Sequence, residues 1–135
     1  MFDTKVAVLV HEDLALWQKL NVTAFLATGI ASAVPQALGE PYEDSAGRLH
    51  ARLLGQPILI YAASTEVLQR AWQQGVQREL TRSAYVRAMF ETGHDAANRA
   101  VFLAEPADAP DLVGLALHGA KNAVDKATKG ARLHP

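Results

Sequence analysis

Cysteine is absent from this chain of 135 residues, which excludes a disulfide framework, a zinc site built on thiolates and a thiol nucleophile, and fits a reducing compartment. Net charge is nearly absent as well: 13 Lys and Arg stand against 14 Asp and Glu, leaving −1. That balance does not draw the whole molecule to nucleic acid or to an anionic membrane, so any site for a polyanion has to be local. Long apolar runs are missing too, none approaching the roughly 20 residues that cross a bilayer, and no membrane partner is expected. The opening Met1-Phe2-Asp3-Thr4-Lys5 has neither the basic region nor the apolar stretch of a secretory signal, and the expected location is cytoplasmic. Repeats and low-complexity tracts are lacking. What remains is the profile of one domain over residues 1–135, long enough to bury roughly two-thirds of the surface its unfolded chain exposes.

Hydrophobic patterning then supplies the elements. Residues 5–10 are continuously apolar, as in a strand buried on both faces. From Gln18 to Val34 the pattern is helical and apolar nearly all round, which calls for sheet on one side and protein or a partner subunit on the other; Pro35 stops it. Between Gly39 and Gly55, the polar run Tyr42 to Leu49 predicts a small hairpin. Residues 57–62 form a second apolar strand, after which Ser64 caps an amphipathic helix running toward Leu80. Residues 84–90 alternate as a strand, Asp95 caps a short helix through Asn98 and Phe102, and Glu105–Asp111 with its two prolines is a linker turn. Leu112 to Leu117 is another buried strand, followed by a helix from about Lys121 to Lys129 that Gly130 terminates. Strands alternating with helices predict a three-layer α/β/α fold: a mixed, mostly parallel sheet of about four strands, covered on both faces by three or four helices.

Polar residues gather where such sheets bind ligands, beside strand carboxyl ends and helix N–H groups. The first junction, His11-Glu12-Asp13-Leu14, is one such place. Lys19, Asn21 and Thr23 lie on the opening turns of an otherwise apolar helix, either facing a cleft or bonding back to the helix backbone. Glu91, His94 and Asp95 surround a glycine and offer a general base, an orienting partner or simply a helix start. No second histidine stands near His94, so neither a metal nor a cofactor is expected. His118-Gly119-Ala120-Lys121 turns a strand into a helix where an anion can approach backbone N–H groups, without the glycines of a phosphate loop. Lys121, Lys126, Lys129 and Arg132 give a local basic stretch, either a solvated face or a contact for RNA or a phosphate. Asp125 and Thr128 share a side of that helix and are placed to fix its end against the sheet.

Several of these runs resemble a known family. The first strand with Asp13-Leu14, Lys19 and the alanine-rich helix from Ala24 to Ala33 resembles the start of type II peptidyl-tRNA hydrolases, and the strand ending near Gly119 with Ala123 to Gly130 resembles their close. Thr92–Asp95, Asn98–Ala100, Leu112–Leu117 and Val124–Gly130 are more similar still to an uncharacterised bacterial family of unknown function, grouped with those hydrolases by fold. The resemblance covers most of the chain, weakens over Gly39–Gly55, and implies the type II peptidyl-tRNA hydrolase-like fold. Activity carries over less well. Where the hydrolases place glutamine and histidine on their first helix, this chain has Asn21, Thr23 and Leu26, and Glu91-Thr92-Gly93-His94 stands where they carry Asp-Ala-Gly.

Three functional expectations follow. In the first, Asp13, Lys19, Asn21, Glu91, His94, His118 and Lys121 build one cleft. There Lys19 and Asn21 polarise an ester or amide carbonyl of an anionic substrate, and Glu91 or His94 activates water. Asp13, Thr23, His118, Gly119 and Lys121 would hold the ligand, a small anion or an RNA end. In the second, the same cleft serves a noncatalytic module for a small anion or nucleotide. In the third, the chain is a structural oligomer, a homodimer through the apolar face of the first helix.

Overall fold

The computed structural model describes residues 2–135. Along the chain run β1 (Thr4–His11), α1 (Leu16–Ala33), a short pair β2 (Tyr42–Glu43) and β3 (Leu49–His50), β4 (Ile58–Ala63), α2 (Thr65–Gln77), β5 (Thr81–Val86), α3 (Asp95–Leu103), β6 (Leu112–Ala120), α4 (Lys121–Ala127) and β7 (Arg132–Leu133).

The alternation inside β1 divides the core. Val6, Val8 and Val10 point to one face and pack with Val22, Leu26 and Ile30 of α1. Ala7 and Leu9 point to the other, against Leu68 and Ala71 of α2 and Val124 and Ala127 of α4. Because successive strand side chains face opposite ways, a strand with apolar residues at every position needs helices on both sides. The continuous apolar run in the sequence is satisfied in that way.

Five strands form the main sheet in the order β5-β6-β1-β4-β7, which corrects the expectation of about four mostly parallel strands. Only β1 and β4 pair in parallel; β6 runs antiparallel to both β1 and β5, and β7 antiparallel to β4. The cause is the route of the chain. After β5, a 3-10 turn at Arg87–Glu91 and α3 return the chain to the end of the sheet where β5 finished, so β6 starts there and fills the slot between β5 and β1 running the opposite way. The strand expected at 84–90 therefore ends at Val86. Opposite it the register shifts, Tyr85 facing Gly114 and Val86 facing Leu112, which leaves Val113 as an extra residue. This β-bulge puts Val113 and Gly114 both on the α1 side.

Local signals at the helix ends are mostly as expected. Ser64 Oγ accepts from the Val67 N–H at 3.2 Å and starts α2. Gln18 Oε1 accepts from the Ala15 N–H at 3.0 Å before α1. At α3 the cap is His94 instead of Asp95: its Nδ1 accepts from the Ala97 N–H at 3.2 Å. Past α4, Gly130 holds φ +93°, the left-handed conformation that ends helices. Asp125 anchors α4 as expected, accepting from Lys5 Nζ at 2.7 Å. Residues 42–50 form the expected hairpin as a separate two-stranded sheet. Among the described residues no helix is long and apolar enough to cross a membrane.

Candidate functional site

At the end of the sheet where β1 and β5 finish, a groove opens between α1 and α3. Trp17, Asn21 and Phe25 are four residues apart, so they fall in line along one face of α1. Asp95 and Asn98 face them from α3, with Arg99 and Phe102 continuing that wall. Tyr85, on the α1 side of β5, and Met89 lie between the two helices. The 3-10 turn that follows β5 carries Phe90 to the open end, with Thr92 and His94 just beyond it. The resulting cavity measures about 320 Å³ and adjoins a second of about 260 Å³ that shares Phe25, Tyr85, Met89, Asp95 and Asn98.

Aromatic rings form most of the first cavity's wall. Trp17 meets Phe90 edge-on at 6.0 Å, Phe90 meets Tyr85 at 5.2 Å, and Tyr85 meets Phe25 at 5.9 Å. These are the tilted and edge arrangements that the ring quadrupole favours. Tyr85 is buried, and burial raises its phenol above the ordinary value while the Asn21 side chain opposes that rise. Thr92 Oγ1 meets the Met89 carbonyl oxygen at 2.9 Å and also contacts Asn98 Oδ1. The single Thr92 hydroxyl proton goes to the Met89 carbonyl, so Asn98 meets Thr92 through one end of its side-chain amide and keeps the other end for the cavity. His94 has its Nδ1 lone pair taken by the Ala97 N–H, which puts the proton of the neutral ring on Nε2. Nε2–H is the donor left free on this lining residue. The one charged residue on this lining is Asp95, whose Oδ2 accepts from the Arg99 guanidinium at 2.9 Å across an exposed pair.

Of the residues expected to share a cleft, Asn21 and His94 come together here. Lys19 does not join them. Two positions before Asn21 on the helix, it faces another side, its Nζ 3.1 Å from His134 Nε2. Thr23 Oγ1 donates to the Lys19 carbonyl at 2.7 Å, the backbone-bonding alternative. Asp13 is exposed on the β1–α1 turn, its N–H donating to His11 Nδ1 at 3.1 Å, and Glu91 is exposed on the 3-10 turn outside the cavity lining. Buried His11 completes that turn through Thr65 Oγ1 at 2.9 Å.

His118, Gly119 and Lys121 lie at the opposite end of the sheet. β6 runs antiparallel to β1, so its carboxyl end meets the start of β1: Val6 pairs with His118 and Lys5 with Gly119. A Cβ on Gly119 would strike Leu80 Cδ2 at 2.5 Å, so the space the glycine leaves is filled by Leu80 and is not open to an anion. The Lys121 N–H donates to the Asp3 carbonyl at 3.0 Å. His118 does line a cavity of about 420 Å³ with Phe2, Val34 and Gln36, and desolvation lowers its pKa. Gln56, on the same cavity, is taken up by Thr4 through two bonds of 3.2 Å.

Sequence reasoning passed over Trp17, Phe25, Tyr85, Phe90 and Asn98. The signal was present at 17, 21 and 25, an asparagine between two aromatics at a four-residue spacing. Among the described residues no group of three or more His, Asp or Glu side chains is placed to hold a metal ion.

A family model described as "Protein of unknown function (DUF2000)" matches residues 4–135. A solved structure of a protein of unknown function, Atu0240 from Agrobacterium tumefaciens, is 50% identical to this chain, with 100% of each covered and a TM-score of 0.95. None of the curated proteins compared with the chain matches it.

Proposed function

Because the chain belongs to the DUF2000 family, whose description assigns no activity, we propose from the groove alone that this protein is a noncatalytic binding module for a flat, polar-edged heteroaromatic ligand of the nucleobase or nucleoside class. The observation that carries this reading is the pairing of four aromatic walls with the amides of Asn21 and Asn98 and the imidazole of His94. Aromatic faces take a planar ring by stacking, worth roughly 1–3 kcal/mol per base. Amide groups read the hydrogen-bonding edge of a base, and His94 Nε2–H adds a donor. The type II peptidyl-tRNA hydrolase-like architecture expected from the motifs is retained in this proposal as the scaffold.

Two features favour a nucleoside over an anion. Among the described residues Asp95 is the charged side chain on the first cavity's lining, and the Arg99 beside it is already paired with that carboxylate, so no free cation is offered to a phosphate there. The basic residues Lys121, Lys126 and Lys129 lie on or just beyond α4, on the other side of the sheet from α1. Hydrolysis is less well supported. Lys19 and Asn21 diverge on the helix, and His94 spends its Nδ1 lone pair on the Ala97 N–H, so the groups meant to polarise a carbonyl and activate water are not assembled. Thermal-shift measurements with adenosine, guanosine and uridine and their monophosphates test the proposal. A nucleoside raises the midpoint, because it binds only the folded state, and Asn98→Ala removes that rise. Equal stabilisation by inorganic phosphate, or no response to any nucleoside, contradicts it.

A further inference from the structure

His118 is the odd histidine of the five. Each of the others has a ring nitrogen in a hydrogen bond: His11 with Thr65, His50 with Asp44, His94 with the Ala97 N–H and His134 with Lys19. Among the described residues the His118 ring has none. It lies opposite Val6 of β1 and Thr81 of β5, so it faces the α1 side of the sheet, at the end away from the groove. Half-buried there, it lines the cavity of about 420 Å³, a volume ordinary for small-molecule sites. Burial holds its pKa below the usual 6.5, so at pH 7 the neutral ring offers one N–H and one lone pair. The end of α1 and the neck of the hairpin build the opposite wall. Pro35 diverts the chain into a 3-10 turn over Pro35–Ala37. The Gly55 N–H then donates to the Ala37 carbonyl and the Gly39 N–H to the Leu53 carbonyl, both at 2.7 Å. A Cβ on Gly55 would meet the Gly39 nitrogen at 3.3 Å, so the two segments of the neck pass in contact and close that wall.

The polarity of the lining limits what can occupy it. Among the described residues no lining side chain is charged at pH 7, since Thr4, Gln36 and Gln56 are neutral and so is His118. Arg52, beside the neck, spends its guanidinium on the Gly39 and Leu38 carbonyls at 2.6 and 3.4 Å. An anion or a cation would therefore enter without a counter-charge. A wholly apolar ligand would strand the imidazole and the amides, which costs binding energy. Two bonds with Thr4 fix the Gln56 side chain and leave it one spare N–H, while Phe2, Val34 and Leu38 supply apolar surface alongside. We propose that this cavity is a second binding site, separate from the groove, for a small uncharged polyhydroxylated ligand of the monosaccharide or cyclic-polyol class. Hydroxyl groups both donate and accept, as His118 and Gln36 require, and the C–H face of the ring rests on Phe2 and Val34. The nucleoside reading of the groove is not needed for this site.

Sugars at high concentration stabilise any folded protein by exclusion from its surface, so the test reads the site itself and not the melting point. Carbon–proton correlation spectra of the full chain follow the imidazole resonances of His118 and His94 during titration with D-ribose, D-glucose and myo-inositol. At least one of the three shifts the His118 resonances saturably and leaves those of His94 in place. Acetate and methylammonium, added as charged probes, do not reproduce that shift. Gln36 is exposed, so Gln36→Ala spares the fold; it weakens the same titration about fivefold, the weight of one net hydrogen bond. Four results overturn the proposal: no saturable His118 shift with any of the three, a shift at His94 in place of His118, an equal response to a charged probe, or an affinity unchanged by Gln36→Ala.

Discussion

His94 shows how much one side chain decides. Its Nδ1 caps α3, and the same bond fixes which ring nitrogen carries the proton toward the groove. The two roles separate by substitution. His94→Ser retains a cap acceptor and keeps stability near wild type, whereas His94→Ala loses about 1 kcal/mol in urea denaturation; both lose the thermal shift with adenosine. If His94→Ser binds adenosine as the wild type does, the imidazole is only a cap. Asp44 makes a different prediction. His50 first, then the Arg48 backbone and side chain and the Ala46 N–H, hold its carboxyl at about 2 against an ordinary 3.8. A depressed carboxylate stabilises above its unfolded pKa and loses that contribution as pH falls through the folded one. The Ala46 and Arg48 amide resonances should accordingly titrate near pH 2, and a midpoint near 3.8 contradicts the turn geometry. At this scale, Asn21 and His94 were legible because polar residues stand out against an apolar helix and a Gly-containing turn. Trp17, Phe25 and Tyr85 were not, because aromatics at helical or strand spacing read equally well as core. Tyr85 is in fact core and wall at once.

Among the elements, α1 explains why an apolar pattern all round a helix is informative. One stripe, Val22, Leu26 and Ile30, fills the core; a second, Trp17, Asn21 and Phe25, lines the groove; a third, Leu16, Leu20 and Ala24, faces outward. Close approach to the sheet is bought with glycine. A Cβ on Gly114 would collide with Val22 and meet Leu26 Cδ1 at 2.9 Å, and one on Gly29 would meet Ser83 Cβ at 2.6 Å. Gly114→Ala should therefore cost about 1–3 kcal/mol by overpacking, measured as a lower denaturation midpoint with an unchanged slope. A neutral result would mean that α1 is free to shift. The strands β1, β4 and β6 were readable from their apolar runs. Their directions were not, since alternating strands and helices fit a parallel sheet until the short return through α3 is known. Two-residue β7 carries no periodicity of its own and exists only because β4 offers an edge.

For the whole molecule, the tie between the central strand and α4 sets a pH limit. Burial, the largest single influence, would lower the Lys5 ammonium pKa, but the Asp125 carboxylate and the polar end of Tyr61 together outweigh it and hold it above the ordinary 10.5. A raised lysine stabilises fully below its unfolded pKa and loses that contribution as pH rises through the folded value. Wild-type stability should fall on the alkaline side of 10.5, more steeply than that of Lys5→Met, and parallel curves for the two contradict the tie. The sequence placed residues near strand ends without telling which end of the sheet each strand presents. His118, Gly119 and Lys121 went astray for that reason: they follow a strand, as the groove residues do, but β6 is reversed. Trp17 offers the most direct test of the groove itself, since Trp72, the other tryptophan, packs against Phe102 and binds the Ala107 carbonyl outside the first cavity. In a Trp72→Phe chain, fluorescence titration with adenosine should show a saturable change that Asn98→Ala abolishes. A flat titration, or one that inorganic phosphate reproduces, would contradict a nucleoside-binding groove between α1 and α3.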